Sequence, residues 1–177
     1  MKKAKITAVC GMMAALSVVL MFITTFVSVL VYVLPIATGL IVFFISEFAD
    51  KKWAAGVFFT TAVLSLVLLT DKEAGLTYTL FFGYYPLIKH SLEKLPKALA
   101  WVVKLVIFNI AAVCIGVLGV VVFGISAEEY KEFGELTIPI LLGMANLAFI
   151  LYDIAFTKNT LLLKLLAQKM QKSILKR

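Results

Sequence analysis

Two ionisable side chains, Lys104 and Asp153, stand inside long apolar runs of this sequence. At bilayer depth each charge would cost about 2.5–3.5 kcal/mol on insertion scales, so each needs a partner or a task. The simplest chemistry is mutual: opposite charges on neighbouring helices form an ion pair that holds them together. Coupling to a partner on the inner side and contact with a substrate are the alternatives. Asn109 and Asn146 also fall within apolar runs. Two amides there either hydrogen-bond between helices, typically for about 0.6 kcal/mol, or face a cavity.

Little else in the chain has the makings of a reaction. There is no G-x-x-x-x-G-K-[ST] phosphate loop, no H-E-x-x-H, no G-x-S-x-G and no paired intramembrane carboxylates. His90, beside Lys89, has no clustered ligands around it in sequence. Cys10 and Cys114 lie in apolar runs and read as small hydrophobes rather than a disulfide or metal pair. We therefore expect no enzyme, no metal and no cofactor.

The elements that must position these residues are membrane helices. The 177 residues are 63% hydrophobic and only 15% charged. A soluble domain is usually about 45–50% apolar. The net charge of +7 collects in connectors and in the tail, where topology and anionic lipid account for it. Nucleic acid is not an expected partner.

Residues 6–26 carry no charge and are long enough to cross a hydrocarbon core of about 30 Å. The run exceeds a usual signal-peptide core and lacks a clear A-x-A site, so it reads as a retained helix. The uncharged stretch continues to residue 46. A single helix of that length would be about twice the bilayer thickness, so the chain must fold back, with Thr24, Thr25 and Ser28 as the turn. Pro35 then lies within a second span and should kink it.

The reading is an all-α integral membrane protein: one domain over 1–177, built as a six-helix bundle with spans 6–26, 28–46, 53–69, 76–92, 99–123 and 136–156. Gly83-Tyr84-Tyr85-Pro86 should bend or end the fourth span. The tail, 158–177, places Leu163, Leu166, Met170 and Ile174 on one face and reads as an interfacial amphipathic helix. With the N-terminus inside, Lys2, Lys3, Lys5, Lys51, Lys52, Lys89, Lys94, Lys97 and six basic residues of the tail lie inside. Outside lie only Lys72 and Lys131, so both ends are cytoplasmic by the positive-inside rule. Trp53 and Trp101 open their spans at inner headgroup depth. Tyr32, Tyr78 and Phe82 fall in the outer halves, where aromatics serve as lipid belt, core or ligand platform.

One face of the first span has a design of its own. Ala4, Ala8, Gly11 and Ala15 recur four, three and four residues apart, which aligns them as a ridge on a helix. Small residues in such a ridge let two helix backbones approach closely in lipid. Residues 8–20, AVCGMMAALSVVL, resemble the first helix of the substrate-binding S components of energy-coupling factor (ECF) vitamin transporters. Length, six expected spans, inside termini and a basic tail agree with that family.

In the family an A-x-x-x-A pattern on this helix docks against a transmembrane T subunit. The matching positions here are Gly11 and Ala15, with Ala8 one turn earlier; glycine stands where the first alanine would be. The resemblance implies a multi-pass protein of the bacterial plasma membrane, with a T subunit and two ATPases as partners. It also implies an outward pocket for a small vitamin-like metabolite, capped by the first and third connectors and drawing on Thr25, Tyr32, Tyr78, Phe82 and Asn146. No residue pattern names the ligand. Two other readings stay open. A scaffold protein of the cell-shape or division type would dock the ridge on a sibling helix. A small membrane enzyme or permease would line a water path with Lys104 and Asp153.

Overall fold

Helix starts and stops follow local hydrogen bonding throughout this computed structural model, which describes residues 2–124 and 137–175. Helix α1 runs Lys2–Ile23. It ends where successive N–H groups reach back three residues, Thr24 to Met21 O and Thr25 to Phe22 O, and the Thr24 hydroxyl donates to Met21 O at 2.7 Å. Such tightened bonds and side-chain back-bonding satisfy terminal carbonyls that have no helical partner. A 3-10 turn, Ser28–Leu30, follows, and α2 (Val33–Phe48) begins only after it.

That late start changes the role of Pro35. The sequence places it inside a span that it should kink. In the structure it is the third residue of α2, in the first helical turn, where its missing N–H would have had no partner anyway. Asp50 then caps α3 (Lys51–Leu68), its carboxylate accepting from the N–H groups of Lys52 at 2.7 Å and Trp53 at 3.1 Å. At the other end the Lys72 ammonium donates to the carbonyls of Leu66, Val67 and Leu69, closing the helix.

The region expected as a fourth span is subdivided. Asp71 caps α4 (Lys72–Thr77), which passes into a π-helical turn, Tyr78–Phe82, closed by Gly83 N–H on Tyr78 O at 2.8 Å. A turn at residues 83–84 separates it from α5 (Tyr85–Leu92), which carries Pro86 in its first turn. Two glycines allow this segment to pack. A Cβ on Gly39 of α2 would collide with the Phe82 carbonyl oxygen, and one on Gly83 would meet the Phe58 ring at 2.6 Å.

Helix α6 (Lys97–Phe123) ends at Gly124, whose φ of 68° provides the left-handed C-terminal cap. The acidic connector, with Glu128, Glu129, Lys131, Glu132 and Glu135, lies outside the described residues, as do Lys176 and Arg177. Helix α7 then runs unbroken as Thr137–Leu175, 39 residues, well beyond the roughly 20 that one crossing needs. This corrects the expected break before a separate tail helix. Thr157, Lys158, Asn159 and Thr160 are polar, but none breaks a helix. The Thr157 hydroxyl and the Asn159 amide donate to carbonyls four residues back, at 2.7 and 2.9 Å, inside the continuing helix.

All regular structure among the described residues is helical. Among the described residues, four helical stretches are long and apolar enough to cross a membrane: Lys3–Ile23, Lys51–Leu68, Lys97–Phe123 and Ile138–Ile174. Helix α2 is apolar but has 16 residues. The sequence reading treats 1–177 as one domain; the helices gather into two compact units, Met1–Ser91 with Thr160–Arg177, and Leu92–Asn159. In the first unit α1, α2 and α3 pack around Val9, Met21, Ile45, Phe48, Val57 and Tyr78. Ala167 of α7 is fully buried in the same core, with Met170 and Ile174 against it, whereas Leu166 is exposed. The tail thus belongs to a protein core along one face.

Candidate functional site

The small-residue ridge is the first feature to place. Helix α1 buries Val9, Cys10, Ala14, Ser17 and Met21, a stripe at helical spacing that faces the core of the first unit. Ala4, Ala8, Gly11 and Ala15 lie on a different face and are all exposed. Among the described residues, no heavy atom beyond its two chain neighbours and the local helix backbone comes within 4 Å of where a Cβ on Gly11 would sit. Met12, Leu16 and Val19 beside the ridge are exposed as well, at 64%, 47% and 58%. The ridge is therefore an apolar, shallow surface with room for another backbone.

The residues expected to form a metabolite pocket are distributed differently. Thr25 is half-buried just past the end of α1. Tyr32, immediately before α2, is exposed, and its hydroxyl donates to Glu73 Oε1 at 2.6 Å. This bond joins the connector before α2 to the first turn of α4. Tyr78 and Phe82 share the π turn and point into packed surroundings. Tyr78 is 0% exposed with its ring 5.8 Å from that of Phe58; Phe82 is edge-on to Phe81 at 5.2 Å. The structure thus brings Tyr78 and Phe82 together within one core. Asn146 belongs to the second unit.

In that second unit, α6 and the first part of α7 meet through a ladder of three rungs. Lys104 Nζ lies 2.9 Å from Asp153 Oδ2, with both side chains almost wholly buried. The Phe108 and Phe149 rings stack at 4.7 Å and 7°. Asn109 and Asn146 exchange amide hydrogen bonds of 2.8 and 2.9 Å. Residue numbers rise on α6 as they fall on α7, the register of an antiparallel pair. Each amide also donates to a carbonyl four residues back, Leu105 O and Leu142 O. Both N–H groups of each asparagine are thereby used within the ladder.

The chemistry available at the charged rung is limited by the same geometry. The Lys104 Nζ is engaged by the Asp153 carboxylate, which leaves the two side chains turned toward each other. Its remaining surroundings are Glu93 Oε1 at 3.9 Å and the Trp101 ring at 5.3 Å. The arrangement ties helices together. Glu93 and the Phe108–Phe149 stack escape a reading of the sequence that looks only for rare polar residues. Yet Phe108 follows Lys104 by four and Phe149 precedes Asp153 by four, a shared spacing that marks them as neighbours on their helices.

Among the described residues, no three His, Cys, Asp or Glu side chains gather where they could hold a metal ion. The resemblance to ECF S components is one of sequence alone, over residues 8–20, with the length and the expected span count beside it. No family model, curated protein or solved structure matches this chain.

Proposed function

We propose that the chain is a membrane-embedded capture subunit of the ECF S-component kind, which docks through α1 on a T subunit that works with two ATPases. The observation that carries this reading is the open ridge at Ala8, Gly11 and Ala15, all exposed, with no side chain from elsewhere among the described residues over Gly11. A helix that buries one stripe on its own core and leaves a second, small-residue stripe bare is built to meet two surfaces. The chain crosses the membrane six times with both ends inside. The short α2 and the segment α4–π–α5 make up the second and fourth crossings, and local thinning of the bilayer accommodates their length. The Tyr32–Glu73 bond ties the first and third connectors, the two that would close over an outward pocket for a small vitamin-like metabolite.

The test is reconstitution with an ECF T subunit and its ATPases. Gly11→Leu or Ala15→Leu should abolish co-purification, while Met12→Ala, beside the ridge, should leave it intact. An undiminished complex with both leucine variants would remove the basis of the proposal. A second reading, a scaffold subunit with no ligand, is favoured by the complete burial of Tyr78 within the core. Mass spectrometry of small molecules that co-purify with the detergent-solubilised protein separates the two: a stoichiometric metabolite supports capture, and its absence supports the scaffold.

A further inference from the structure

Helix α2 gives way to α3 at a corner crowded with charge: Glu47, Asp50, Lys51 and Lys52 end one apolar run and begin the next. Beside this corner the first unit has a cleft of about 270 Å3. Its lining includes buried Phe43 and Pro86 together with Glu47, Lys51, His90 and Lys164. Lys164 Nζ stands 3.7 Å from Glu47 Oε1, and both side chains remain about one-third exposed, at 35% and 30%. Lys51 and His90 are exposed. The lining therefore combines buried apolar side chains with two lysines and one carboxylate.

We propose that this cleft binds the headgroup of an anionic phospholipid, a phosphate diester bearing a free hydroxyl, as in phosphatidylglycerol. Lys51 and Lys164 meet the phosphate oxygens, and the headgroup hydroxyl donates to Glu47. The glycerol backbone and first acyl carbons lie on Phe43 and Pro86. Three observations converge on a lipid. Glu47 and Lys51 sit where apolar α2 gives way to α3, the kind of helix end that lies at headgroup depth. The volume lies just below the roughly 300–1,000 Å3 of sites that enclose a whole small ligand, so it suits a headgroup whose tails stay outside. Two lysines stand against one glutamate, and basic recesses between membrane helices select anionic lipid. The inner leaflet as its location rests on the orientation proposed above; the chemistry of the cleft does not.

Native mass spectrometry of the full chain reads this directly, with phosphatidylglycerol or phosphatidylcholine titrated into the detergent. We expect wild type to retain phosphatidylglycerol in preference to phosphatidylcholine. K51Q/K164Q should lower phosphatidylglycerol occupancy by roughly tenfold and leave phosphatidylcholine unchanged. K51R/K164R, which keeps the charge, should bind as wild type does. The single variant K51Q, at an exposed position that the fold does not depend on, should show a several-fold loss. Equal retention of the two lipids, or undiminished phosphatidylglycerol binding by both glutamine variants, overturns the proposal. Displacement of the lipid by millimolar inorganic phosphate reassigns the cleft to a soluble phosphate and overturns the lipid assignment. The leucine variants at Gly11 and Ala15 should leave these lipid adducts untouched, so this proposal and the docking reading fail separately.

Discussion

The two units solve the same problem with different chemistry. In the first, α1, α2 and α3 hold together by close fit: alanine, glycine and threonine at the contacts, with Gly39 against the Phe82 carbonyl and Tyr78 sealed under Phe58. In the second, α6 and α7 meet through an ion pair, a ring stack and an amide pair. Only 17% of the apolar window of α6 is buried, against 28% for α1, so most of α6 faces outward. In lipid, apolar contact alone barely favours helix over bilayer, and association rests on packing and on interhelical hydrogen bonds. A bundle of three helices can supply packing. A pair of helices has less surface to fit and relies on polar rungs.

The sharpest way to break this comparison is Asp153→Ala. It leaves the Lys104 ammonium buried, with Glu93 at 3.9 Å as its nearest carboxylate. Removing one member of a buried pair costs about 3–5 kcal/mol, because the remaining charge is not solvated. We expect that loss in unfolding by anionic detergent, followed by circular dichroism. Lys104→Leu with Asp153→Leu removes both charges and should lie within about 1 kcal/mol of wild type. If Asp153→Ala were as stable as the double variant, the rung would be solvated and would not hold the pair.

The first unit answers to a different change. Gly39→Ala adds a single methyl where the Phe82 carbonyl stands, a backbone atom that cannot swing aside. Overpacking of this kind costs about 1–3 kcal/mol. The same detergent titration should register it, and the π turn should loosen, read as faster hydrogen exchange at the Gly83 amide that closes it. An unchanged exchange rate would mean that α2 and the π turn are not in contact at Gly39.

Parts of this arrangement are legible in the sequence, for reasons that differ by element. Helix α1 is legible because an uncharged run of that length has few other uses. Lys104 and Asp153 stand out because charge is rare in their surroundings, and they meet at 2.9 Å. The π turn is not legible, since Tyr-Thr-Leu-Phe-Phe carries no signal for one extra residue per turn; Gly83 and Gly39, which make room for it, are far apart in sequence. Tyr78 and Phe82 look like outer-half aromatics until Phe58 and Phe81 are seen against them. The continuity of α7 is hidden because polarity at Thr157–Thr160 imitates a boundary, although only proline or glycine would have enforced one. Ala167 gives no hint of burial on a tail whose larger apolar residues attract attention first.

Gly11 supplies the smallest expected effect and the cleanest contrast with Gly39, since both are helical glycines of the same unit. Among the described residues, nothing beyond its chain neighbours and local helix backbone lies within 4 Å of a Cβ built on Gly11, so alanine there meets no obstacle. Alanine is also the better helix former, by up to about 1 kcal/mol at an exposed position. Gly11→Ala should therefore be neutral or slightly stabilising in the detergent titration, opposite in sign to Gly39→Ala. In the partner assay it should still permit docking, because alanine restores the A-x-x-x-A pattern and keeps the surface shallow. Loss of stability in Gly11→Ala would mean that the ridge already packs on something within the protein, and the open face on which docking depends would not exist.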